Sequence, residues 1–101
     1  MKPIMSRKEA LRRIKSNSDR IRAFGVKRVA LFGSYARDEN SSSSDVDILV
    51  EFEKGQMTFD NYMDLKFFLE SMFGRKVDLV VREAIKPALE RSIMDGAVYA
   101  A

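Results

Sequence analysis

Between Asp45 and Glu53 the chain alternates in a way that permits little besides a half-buried strand. Val46, Ile48, Val50 and Phe52 fall on one face, and Asp45, Asp47, Leu49 and Glu51 on the other, because successive side chains of a strand point to opposite sides. The first face must be buried against something apolar. The second carries two carboxylates whose Cα atoms lie roughly 6.5–7 Å apart, at ~3.3 Å per residue. Like charges that close raise at least one pKa unless a cation relieves them. Asp-x-Asp alone also fits two ordinary charges at an exposed strand start, so its meaning rests on its neighbours.

Two neighbours bear on it. Val26 to Phe32 is apolar and β-branched, and Gly33 ends it abruptly, which reads as a buried strand running into a turn. Glycine there permits unusual backbone angles and close approach of a ligand. The amides of a following short helix at Tyr35, Ala36 and Arg37, with the Ser34 hydroxyl, can bind phosphate oxygens. Lys76 to Arg82 reads as a further strand, with Val77, Leu79 and Val81 on one side and Asp78 and Val80 on the other. A lone carboxylate facing a core is costly. Asp78 is therefore expected on the same face as Asp47, about 5 Å away across the ladder. A salt bridge to Arg75 or Lys76 is the alternative.

Helical segments fill the rest. Ser6-Arg7-Lys8-Glu9 fits a capping box. Ala10, Leu11, Ile14, Ile21 and Phe24 recur near helical spacing, with a bend or break expected at Ser16-Asn17-Ser18 and a stop at Gly25. Residues 38 to 44 form a polar loop. Thr58 can cap a helix through Phe73, with Tyr62, Leu65, Leu69 and Met72 on one face and Gly74 after its end. Phe67, Phe68 and Phe73 exceed what one helix face hides, and are expected to complete the core from two sides unless one meets a partner. Pro87 suits the first turn of a last helix, expected to reach about Val98 with Leu89, Ile93 and Ala97 as its apolar stripe. The order helix, strand, strand, helix, strand, helix predicts one α/β (α+β) domain over 1–101. It has a small mixed sheet of three or four strands with helices packed on one face, leaving the carboxylate face open.

The chain's 101 residues include no cysteine and no histidine. Thiolate zinc sites, disulfides and histidine-based triads are thereby excluded, and any metal must be held by oxygen, which selects a hard ion such as magnesium or manganese. The net charge of +3 reads as a mixed, solvated surface and not as a nucleic-acid patch. No apolar run approaches a membrane span, and the start MKPIMSRKEA lacks the apolar stretch of a leader, so a cytoplasmic protein is expected. Three carboxylates (Asp45, Asp47, Asp78) and a phosphate cradle (Gly33, Ser34) on one sheet face suit two-metal phosphoryl or nucleotidyl transfer. Asp78 is also a candidate base toward an incoming hydroxyl.

Gly33-Ser34, ten residues, then Asp45-Val46-Asp47 resembles the GS-x10-DxD signature of the DNA polymerase β-like nucleotidyltransferases. Leu31 to Arg37, Ser44 to Val50 and Lys76 to Val80 are similar to its minimal nucleotidyltransferase, or MNT, branch. The resemblance implies a polymerase β palm-like fold and transfer of AMP from ATP. It implies Asp45, Asp47 and Asp78 as metal ligands, for two magnesium ions or manganese. It also implies Gly33, Ser34, Arg37 and Ser44 at the nucleotide. The family often has glycine after that arginine, where this chain has Asp38. MNT members are typically paired with a HEPN toxin and act as its antitoxin, some by adenylylating a toxin tyrosine. A HEPN partner and a homo- or hetero-oligomer are thus expected. The alternatives are an antitoxin that neutralises by binding alone, and a transferase acting on a small-molecule hydroxyl or an RNA end.

Overall fold

The computed structural model describes residues 4–41 and 43–101. Met1 to Pro3, within the stretch read as lacking a leader, and Ser42 of the serine loop lie outside them.

Helix α1 spans Arg7–Ser16, and the Ser6 Oγ accepts from the Glu9 N–H at 3.1 Å, the serine half of the expected capping box. The other half is replaced. The Glu9 carboxylate accepts from Arg12 and Arg13, which hold its pKa at about 2. Both arginines lie within one turn on the same helix face, and a charged donor outcompetes a backbone amide. The break falls where expected: Asn17 ends α1, and a short α2 covers Ser18–Arg22.

Strand β1, Val26–Phe32, pairs antiparallel with β2, Val46–Phe52. A bulge between Val26 and Arg28 interrupts strict alternation. It lets both Val26 and Val29 join the core and puts Arg28 opposite Glu51. Helix α3, Gly33–Ala36, follows β1 directly. Helix α4, Phe59–Phe73, is capped by Thr58, whose hydroxyl accepts from Asn61 N at 3.1 Å, and it ends at Gly74 in the left-handed conformation. Strand β3, Val77–Val81, lies parallel to β2, and the Tyr62 hydroxyl donates to the Leu79 carbonyl at 2.8 Å, tying α4 to β3.

The last helix is shorter than expected. Helix α5 covers Pro87–Met94, and Val98–Tyr99 form a fourth strand, β4, pairing with Ala30 and Leu31. Gly96, at φ +80°, breaks the helical run, and the β-branched Val98 meets a sheet edge that can satisfy its backbone. Ala97 thus lies outside the helix, Leu89 is exposed and Ile93 half-buried, so the expected stripe is not a core face. The four-stranded mixed sheet has the order β3-β2-β1-β4.

One sheet face packs against the helices through Ile14, Leu31, Ile48, Val50, Leu65, Leu69 and Phe73. The other face is only partly open, which corrects the expectation. Ala30, Leu49 and Glu51 are buried on it. Glu51 is held by Arg28, with Nε 2.7 Å from Oε2, and by Arg82 at 3.5 Å. Arg28 in turn lies over the Tyr99 ring, 5.2 Å from its centroid. Burying a carboxylate without partners is costly, and the two arginines supply that pairing. Of the three phenylalanines expected in the core, Phe73 is buried and Phe68 packs on Phe24, but Phe67 is 58% exposed, as is Phe59 at 77%. No helix among the described residues is long and apolar enough to cross a membrane.

Leu69 sits fully buried between α4 and the sheet. Leu69→Ala should lower stability by about 2–5 kcal/mol, through lost transfer energy and a residual cavity. Urea unfolding checks this, and a loss under about 1 kcal/mol would show that the site collapses or is not core.

Candidate active site

The chain turns sharply at the end of β1. Gly33 takes φ +70°, a conformation L side chains rarely adopt. A Cβ at this position would run into Asp47 Oδ2, with Cγ at 2.9 Å and Cβ at 3.1 Å. Only glycine lets the Asp47 carboxylate lie against the turn.

The turn is held from behind. The Gly33 carbonyl accepts from Arg37 N at 3.2 Å, that of Ser34 from Glu39 N at 2.8 Å, and that of Tyr35 from Asp38 N at 3.2 Å. The Ala36 carbonyl accepts from the Arg7 guanidinium at 3.3 Å. The carbonyls of α3 are thus engaged, while first-turn amides of a helix have no partner within it. Tyr35, fully buried, reaches back with a long 3.5 Å contact to the Ser44 carbonyl, joining the turn to the residue before Asp45. The role of its side chain was not legible in the sequence, where Tyr35 counts only through its backbone amide.

Register then sets the carboxylates. Phe32 pairs with Asp47 across β1 and β2, and Asp47 pairs with Asp78 across β2 and β3. Asp45 precedes β2 and is exposed, Asp47 is half-buried, and Asp78 is exposed. Register therefore sets Asp47 and Asp78 side by side on one face, as expected, while Asp45 stands just ahead of the strand and acts on Asp47 through its charge. They are not gathered into a ready-made cage: among the described residues no three acidic groups form a metal-holding cluster. They do act on one another. Burial raises the Asp47 pKa above the ordinary aspartate range, the charges of Asp78 and Asp45 raise it further, and Arg37 opposes them.

The remaining predicted residues are placed unevenly. Ser34 is half-buried in α3. Arg37 ends α3, is exposed, and pairs with Glu39 at 3.0 Å while acting on Asp47 through its charge. The Ser44 hydroxyl accepts from Ser41 N at 2.9 Å and so closes its own loop. Asp38, where glycine is common in the resembling family, takes φ +58° and keeps the left-handed shape. Aspartate tolerates that conformation better than most residues.

An oxygen-only donor set, with a half-buried carboxylate raised by two like charges on its own face, suits a hard divalent cation. A glycine-lined turn beside it suits phosphate. Residues 7–100 match the family model described as nucleotidyltransferase domain. The chain belongs to the nucleotidyltransferase family. Among its relatives, a protein of Methanocaldococcus jannaschii provisionally named a protein adenylyltransferase is 40% identical over 98% of this chain and 99% of its own. The protein adenylyltransferase MntA of Thermococcus cleftensis is 38% identical over 75% of this chain and 76% of its own. A solved structure described provisionally as a minimal nucleotidyltransferase superposes with TM-score 0.82 at 32% identity, covering 96% of this chain and 98% of that one. A complex of tri-AMPylated Shewanella oneidensis HEPN toxin with MNT antitoxin shares the fold at TM-score 0.65 and 19% identity, over 90% of this chain and 71% of that one. This nucleotidyltransferase thus has the mixed α/β fold expected of the minimal branch, and it is an enzyme of that class.

Two outcomes follow from the site. Gly33→Ala forces a side chain into a left-handed position and against Asp47, and should cost at least about 1–2 kcal/mol. Thermal unfolding of that variant at wild-type stability would contradict the close approach. The folded pKa of Asp47 lies above its unfolded value, so its ionised form weakens the fold at neutral pH, and the penalty fades as pH falls through the folded pKa. Asp47→Asn should therefore raise the unfolding temperature at pH 7 in chelator-containing buffer, with a gain that shrinks toward acid. An unchanged or lower midpoint at pH 7 would refute the charge conflict.

Proposed function

We propose that this nucleotidyltransferase moves AMP from ATP to a hydroxyl of a partner HEPN toxin, a tyrosine by preference, and so acts as the antitoxin of the pair. The observation that carries this is the Asp47 carboxylate lying against the Gly33 turn, with Asp78 beside it in register. A phosphate-sized ligand on that turn would sit next to Asp47, whose strand neighbour is Asp78. The names of the adenylyltransferase relatives and the AMPylated toxin in the Shewanella oneidensis complex support protein as the acceptor. So does the outer face of α4, where exposed Phe59 and Phe67 bracket half-buried Met63 at helical spacing.

Asp45, Asp47 and Asp78 would hold divalent magnesium, one ion or two, with manganese as a substitute. Such an ion supplies Lewis-acid neutralisation of phosphate charge. The protein's own groups do the rest. Gly33 and the amides of α3, with Ser34, receive the triphosphate, and Arg37 adds positive charge at its edge. Asp78, exposed on the face, takes the proton of the acceptor hydroxyl. That oxygen bonds to the α-phosphorus as the bond to the β-phosphate bridge breaks, and pyrophosphate leaves.

Transfer of label from α-labelled ATP to the partner toxin, with magnesium present, tests this. Asp45→Asn and Asp47→Asn should each reduce transfer more than about a hundredfold, since even outer-shell partners of a metal site cost 10–100-fold. Label that never appears with the wild type, or that persists in both variants, rules the activity out. An Asp47→Asn protein that binds the toxin and still protects cells would instead establish neutralisation by complex formation.

A further inference from the structure

We propose that Asp38 is a positioning residue, holding the phosphate turn against the N-terminus of α1 so that the turn is set before nucleotide arrives. The inference rests on the nucleotide reading of the Gly33 turn given above. Asp38 Oδ1 accepts from the Arg7 N–H at 3.0 Å, the first amide of α1. The Arg7 guanidinium returns to the Ala36 carbonyl, the last of α3, at 3.3 Å. Asn40 Nδ2 donates to the Met5 carbonyl at 2.7 Å, just ahead of the helix. Three hydrogen bonds, from residues more than twenty-five positions apart in sequence, thus join Met5–Arg7 to segment 36–40.

The backbone at Asp38 supports this reading. At φ +58° it sits where glycine would be relaxed, so an aspartate is there at a conformational cost. What aspartate adds over glycine is an acceptor for an otherwise unpartnered helix amide. Ser6 already caps α1 through the Glu9 amide, so the helix does not depend on Asp38 to start. The benefit falls on the turn. Asp38 N is also the donor to the Tyr35 carbonyl inside it, so one residue grips the turn with its backbone and α1 with its side chain.

The test compares three variants by calorimetric binding of AMP-PNP with magnesium and by urea unfolding. Asp38→Gly relaxes the backbone and removes the acceptor. It should keep or raise stability yet weaken AMP-PNP binding roughly five- to tenfold, the size of a lost capping bond. Asp38→Asn keeps the acceptor and tolerates the conformation, and should bind as the wild type does. Arg7→Ala removes only the contact to Ala36 and should weaken binding in the same direction. In the transfer assay Asp38→Gly should raise KM for ATP with kcat at saturation unchanged. Wild-type affinity in Asp38→Gly would overturn the proposal, as would an Asp38→Asn as weak as Asp38→Gly, which would assign the effect to charge. Absence of AMP-PNP binding by the wild type itself would remove the nucleotide reading, and this inference with it.

Discussion

Where β1 ends at Phe32 the backbone turns at Gly33 straight into α3, and the Asp47 carboxylate occupies the space a side chain at Gly33 would fill. Much else follows from that close approach. It requires β1 and β2 to pair with Phe32 opposite Asp47, and the register of the whole antiparallel ladder is set accordingly. A slip of one residue would turn Asp47 into the core and Ile48 out of it. With β2 placed, the parallel pairing of β3 brings Asp78 level with Asp47. Fold and site are thus joined through one glycine.

The carboxylate face is divided electrostatically along its length. At one end Glu51 is buried but flanked by Arg28 and Arg82, with Tyr99 over Arg28, so its charge is matched within the protein. At the other end Asp47 faces Asp45 and Asp78, and Arg37 offsets them only in part. A sheet built for stability alone would match both ends. The uncompensated end is the one beside the glycine turn, and perturbed carboxylates of this kind gather where ligands bind.

Much of this was legible in one dimension. Period-2 runs located β2 and β3, an apolar β-branched run stopped by Gly33 located β1, and the alternation assigned Asp45, Asp47 and Asp78 to one face. Ser6, Thr58 and Gly74 marked helix ends because capping depends on residues within a turn of one another. What failed depended on distant partners. The last helix read as reaching Val98 because the apolar spacing there is ambiguous, and only the free edge of β1 made Val98 and Tyr99 a strand. Glu51 read as an outward charge because nothing local shows that Arg28 and Arg82 will converge on it. Phe67 read as core because composition cannot say which side of a helix has nothing against it.

The same division holds at the site. Sequence alone determined the chemistry available: oxygen ligands only, since histidine and cysteine are absent, and three carboxylates with a glycine-serine turn at their spacing. Tertiary structure decided how these groups meet. It placed Asp47 against Gly33 and Asp78 in register with Asp47, buried Tyr35 behind the turn, and tied Asp38 to α1. Residue type and alternation are local properties, readable within a few positions. Strand register, burial and long-range hydrogen bonds exist only once segments distant in the chain have packed together, and the Asp47 pKa rises only because they have.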